Sequence, residues 1–132
     1  MDQSEIQLFS ARWIELQKRF QNGDLHDDDP DWEIIFDLMR NSGEDGDWRV
    51  AMVVCVEIAH QSGDPEILDI LGASPLEDLL EYHGDKVLPD FLAAAKDNPS
   101  FRQALRHIWP REDKQIWARF EAIRDHLELP DA

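Results

Sequence analysis

Four of the seven prolines follow a residue that readily caps a helix: Asp29-Pro30, Asp64-Pro65, Ser74-Pro75 and Asn98-Pro99. A capping oxygen accepts a hydrogen bond from an otherwise unpaired N–H of the first turn, and proline at the first helical position has no N–H to leave unpaired. Each pair therefore predicts a helix start, and each precedes apolar residues at helical spacing. That pattern calls for no strand.

The spacing predicts an all-α fold of about eight short helices in antiparallel pairs, either a compact bundle or a small HEAT-like stack. Helix one is expected over residues 4–20, with Ile6, Phe9, Trp13, Leu16 and Phe20 on its buried stripe. Helix two is expected over 30–40, with Trp32, Ile35, Phe36 and Met39 on one side and Ile34 and Leu38 off it, so more than one face is covered. Residues 48–61 are apolar nearly all round and belong at the centre. A short helix over 65–71 precedes one over 75–83, where Ser74 and Glu77 form an S-x-x-E capping box and Gly84 supplies the stop. Three more helices are expected over 85–96, 99–109 and 112–127, the sixth made irregular by Pro89 and the eighth striped by Ile116, Phe120, Ile123 and Leu127. At 132 residues the chain reads as one domain, 1–132, with 128–132 as a tail.

Charge is the second constraint. The formal net charge is −16, and residues 1–98 carry all of it, with 23 acidic against 7 basic side chains; residues 99–132 hold six of each. Such a field repels nucleic acid and anionic membranes and attracts basic proteins. The opening residues lack the basic and apolar regions of a signal peptide, and the most apolar stretch, 50–58, is too short for a bilayer. The lone Cys55 sits in that stretch as a small hydrophobe, so a cytoplasmic location is expected.

Residues 64–109 carry two recognisable segments. One is Pro75-Leu76-Glu77-Asp78-Leu79-Leu80 with His83-Gly84; the other runs over 98–109 with Phe101, Arg102, Ala104, Leu105 and Trp109. Together with Asp29-Pro30, Trp32 and Ile35 upstream, they resemble a bacterial family of small α-helical proteins of unknown function, over about residues 28–110. The resemblance implies a helical fold and no established activity. Pro89 and the abundance of aspartate near Asp27 and Asp45 depart from the family pattern. Almost every motif residue has a folding role on this reading: Pro75 starts a helix, Glu77 closes its box, the leucines pack, His83 meets the helix dipole and Gly84 ends it. Only Asp78 is left without one.

Chemistry-bearing patterns are sparse. Asp24, His26, Asp27, Asp28, Asp29 and Asp31 form an acidic loop in which Asp27, Asp29 and Asp31 alternate as in a calcium loop, but Trp32 and Leu38 stand where glycine and glutamate are required. A solvated loop is expected, with a weak divalent-cation site as the alternative. The five histidines are scattered, Cys55 lies among apolar residues, and there is no G-x-S-x-G turn, P-loop or dinucleotide fingerprint. No catalytic, cofactor or metal residue is assigned. The arginines at 102–124 are expected to pair with the acidic body. The chain therefore reads as a non-enzymatic acidic module that binds a protein, with a basic partner expected and Asp27, Asp28, Asp45, Asp47 and Trp117 as contact residues. A toxin-immunity or nuclease-inhibitor protein is one alternative and a carboxylate enzyme another.

Overall fold

Two of the four cap–proline pairs open helices as expected. Asp64 accepts from the Glu66 N–H at 3.0 Å, and Asn98 accepts from Ser100 and Phe101 at 2.9 and 3.3 Å. The computed structural model describes residues 1–128, with side chains through residue 125. Among the described residues the helices are α1 (Gln3–Gln21), α2 (Trp32–Ser42), α3 (Trp48–Gln61), α4 (Pro65–Leu71), α5 (Glu77–Asp97), α6 (Pro99–Leu105) and α7 (Lys114–Glu128), with no strand. The expected tail lies outside them apart from Glu128, which ends α7, and the expected packing of Leu127 also lies outside them.

The other two pairs behave differently. Asp29 is no helix cap: its carboxylate accepts from the Asp31 N–H at 2.9 Å and from Arg19 at 2.7 Å, and α2 begins only at Trp32. A cation reaching in from α1 and a tight local turn compete for the oxygens that a cap would need. Ser74 does not cap either, and no capping box with Glu77 forms. Residues Gly72–Leu76 make a π-helical turn that carries α4 straight into α5, with the Glu77 N–H bonded to the Gly72 carbonyl. The widened turn admits Pro75 without breaking the helix.

The fifth and sixth expected helices run into each other as two segments of α5 that meet at the expected boundary, although Gly84 supplies no left-handed stop there. The chain kinks at His83 (φ −135°, ψ 25°) and continues through Pro89 to Asp97. A Cβ on Gly84 would lie 2.8 Å from the Ile116 side chain, so this glycine serves the close approach of α5 and α7. The helix expected over 99–109 ends at Leu105.

Helix α3 has the expected bounds and occupies the middle, packing against α1, α2, α5 and α6. Contacts such as α3 with α6 skip sequence neighbours, so the arrangement is a compact bundle and not a stack in which each unit meets only the next. Ala51, Val54, Cys55 and Ile58 are wholly buried or nearly so, whereas Val53 is exposed, so the helix is not covered all round. At the other end of the core, Phe91 meets Phe101 and Phe120 edge-on at 5.9 and 6.4 Å, locking α5, α6 and α7 together.

At the N-terminal end, Asp2 and Glu5 form a reciprocal capping box on α1. Ile6, Ser10, Trp13, Ile14, Leu16 and Gln17 make the buried side of this helix, while Phe20, expected on it, is exposed. The helix closes in a Schellman motif: Asp24 N–H bonds Arg19 O, Gly23 N–H bonds Phe20 O, and Gly23 takes φ +74°. That turn throws the chain into the acidic loop and leaves Phe20 at its edge.

Candidate interaction surface

The family-like motif is a clasp made of long-range bonds. Glu77 Oε1 accepts the Trp109 N–H at 2.8 Å and lies 3.5 Å from the Arg111 guanidinium, so the two motif segments are tied to each other. Gly72 reinforces the tie, since a Cβ there would lie 2.0 Å from Ala104 O. His83 does not serve its own helix end. Its Nε2 donates to Gly43 O, 2.7 Å away, at the C-terminal cap of α2. Asp78, half-buried beside Glu77 and Glu81, has its pKa raised above the ordinary 3.8 by burial first and by Glu77 next, with Arg111 opposing. Cys55 is fully buried, and burial pushes its thiol far up, which suppresses thiolate chemistry.

Of the C-terminal arginines, Arg111 pairs with Glu77 and Glu81 and Arg119 with Asp85, as expected, whereas Arg124 pairs with Glu121 and Asp125 of its own helix. Trp117 is half-buried. It packs 5.1 Å from Phe120, with the Arg124 guanidinium 5.7 Å from its ring. Helix α7, which carries Trp117, packs on α5 and α6.

Those loops lie at opposite ends of α2, whose eleven residues span about 16 Å. Asp27 and Asp28 stand exposed in the turn before the helix, and Asp45 in the turn after it. Asp47 is exposed too, but it also caps α3, accepting from Arg49 and Val50 at 3.2 and 3.4 Å. Within the first loop, Asp29 is held below the usual carboxylate range by the Asp31 N–H and by Arg19, and Asp31 pairs with Arg12 at 3.1 Å. Among the described residues, no three His, Cys, Asp or Glu side chains gather as a metal site would require.

Between the acidic ends runs a surface that the sequence reading placed in the core. Trp32 donates from Nε1 to His26 O at 2.8 Å. Phe20 meets its ring edge-on at 5.8 Å, and Phe36 stacks on it at 5.9 Å. Met39 continues the row one turn on. Phe20, Phe36 and Met39 are 56, 43 and 49% exposed, which makes a ridge of large apolar side chains on a chain that buries most others. The α2 residues that reach the core are Ile34, Ile35 and Leu38. One signal could have found the ridge: Glu33, Asp37, Arg40 and Asn41 mark the solvent arc of α2, and Phe36 lies beside that arc.

A second apolar surface is an open groove of about 820 Å³ between α1, α3 and α5. Ile6, Met52, Val53, Val56, Ala93 and Ala94 line it, and Arg49, Glu57, His60 and Asp90 stand among them.

The profile of a family of unknown function (DUF6869) matches residues 20–127, most of the chain and all of the clasp. The protein belongs to this family. Comparison with curated proteins and with solved structures gives no match. Most of α1 precedes the matched region, yet it packs on α2 and α3 and supplies Phe20 and Arg19 to the ridge and its loop. Among the described residues, no helix is long and apolar enough to cross a membrane.

Proposed function

We propose that this protein is a non-enzymatic, acidic interaction module that captures a basic protein. The observation that carries the reading is local. Residues 20–47 contain ten Asp and Glu against the single Arg40. Arg40 is taken up by Glu33 and Asp37, and Arg12 and Arg19 from α1 are taken up by Asp29 and Asp31. Asp24, Asp27, Asp28, Glu44 and Asp45 are exposed and have no ion-pair partner among the described residues. Charge held this way stabilises little of the fold and raises the encounter rate with a cation-rich surface. A neutraliser of a basic toxin or nuclease is the special case in which the captured protein is harmful.

Affinity capture from the native host at low and moderate salt tests the reading, with a variant carrying Asp27→Asn, Asp28→Asn and Asp45→Asn as the control. The expected result is a basic protein retained at low salt, released as salt screens the field, and lost by the variant. Retention that ignores both salt and the substitutions overturns it.

A further inference from the structure

We propose that the Phe20–Trp32–Phe36–Met39 ridge is the docking site, and that its occupant is a Lys/Arg-rich amphipathic helix of the partner. This rests on the reading of the protein as an acidic capture module, and it adds where and how the partner binds. Three observations carry it. The ridge is apolar and exposed, with a Trp at its centre, the residue type most enriched where binding energy concentrates. It is also already ordered. The Trp32 ring is fixed by its bond to His26 O and held between Phe20 and Phe36, so docking does not have to freeze it. Finally, its surroundings are net anionic: Glu33 and Asp37 flank it along α2 around the single Arg40, and Asp27 and Asp28, unpaired among the described residues, stand at its upper end.

An apolar row with carboxylates beside it is complementary to a helix whose apolar residues recur every three or four positions between lysines and arginines. A second copy of this chain is a poor occupant, because it would bring another net charge of −16 to the same face. The α1–α3–α5 groove sets Arg49 against Glu57 and Asp90 and so offers a cationic helix a weaker preference.

The test uses the full chain, isotopically labelled, and a synthetic helical peptide of lysine and leucine about five turns long. A scrambled peptide of the same composition that cannot form an apolar face is the control. Binding is expected to shift the Trp32 indole resonance and the amides of residues 20–39. Phe36→Ser with Met39→Ser is expected to weaken binding about tenfold while the amide spectrum remains that of the folded protein. Asp27→Asn with Asp28→Asn is expected to weaken it as well, and the scrambled peptide to bind about tenfold less tightly than the amphipathic one. If the aspartate variant loses affinity and the Phe36/Met39 variant does not, or if the shifts fall on the groove, the ridge assignment is overturned and the acidic-capture reading stands. If no substitution changes affinity, or the amphipathic peptide does not bind, both are overturned.

Discussion

The clasp and the ridge are built from the same materials and use them in opposite ways. In the clasp, Glu77, His83, Gly72 and Gly84 each meet a partner distant in sequence: Trp109 and Arg111, Gly43, Ala104, and Ile116. Glu77 and His83 are bonded there, and the apolar Leu76, Leu79 and Leu80 are buried. In the ridge the aromatic residues are half-exposed and the nearby aspartates at 27 and 28 face solvent. The contrast teaches where to look for function. The two segments over 75–84 and 98–109, which carry most of the recognisable signature, are spent on joining α2, α5, α6 and α7. The part with surface left over lies at the turn from α1 into α2.

The sharpest way to break the contrast is to crowd the clasp. Gly72→Ala sets a methyl against the Ala104 carbonyl, which is backbone and cannot swing away. The helical preference of alanine does not offset that clash. Chemical denaturation should show a loss of about 3 kcal/mol, near the upper end for overpacking. A change under about 0.5 kcal/mol would mean that α4 and α6 are less closely joined than described.

His83→Ala comes next. It leaves Gly43 O with the Gly46 N–H as its donor, removes the tie from α5 to the end of α2, and opens space at the kink of α5. The expected loss is about 2 kcal/mol by the same measurement. His83→Gln, which can still donate, should recover part of it. Equal losses for the two variants would assign the effect to ring packing and not to the bond to α2.

On the ridge, Phe36→Ala should be far milder. The side chain is already 43% exposed, and what it gives up is mainly its stack on Trp32. Less than about 1 kcal/mol is expected, against about 3–5 kcal/mol for a fully buried ring such as Phe101. A comparable loss at both positions would make the ridge part of the core and remove the ground for the contrast.

Much of this was legible in the sequence where the determining interaction is local. Asp64-Pro65 and Asn98-Pro99 mark real starts because a cap needs only the next three residues. The bounds of α3 and α4 follow from apolar spacing between such signals. Legibility fails where the decisive partner is remote. Nothing adjacent to Glu77 announces that its oxygen belongs to Trp109, 32 residues away, so a capping box was the economical expectation. Gly84 reads as a helix stop until Ile116 is seen against it. The acidic loops stood out by composition, but the ridge between them did not. Amphipathic reasoning assigns an apolar stripe to the interior, and α2 carries two stripes of which one stays outside.

Two carboxylates sharpen the comparison in the smallest way, because acid acts on them with opposite sign. Asp29, in the loop beside the ridge, is stabilised as an anion by the Asp31 N–H and Arg19 and so has a lowered pKa. Its contribution is present above the ordinary 3.8 and is lost as pH falls through the lowered value. Asp78, in the clasp, has a raised pKa because burial and Glu77 disfavour its charge. The folded protein therefore holds this proton more tightly than the unfolded chain does. The corresponding stability is fully present below 3.8 and declines as pH rises through the raised value. Asp78→Asn removes the charge without the titration. Relative to the native chain its Tm should be slightly higher at neutral pH, with the advantage shrinking as pH approaches 3.8 from above. Solvent reaches part of the group, so the shift is small. An advantage that is the same at every pH would trace to the amide's own hydrogen bonds, and the clasp would then contain no strained charge at all.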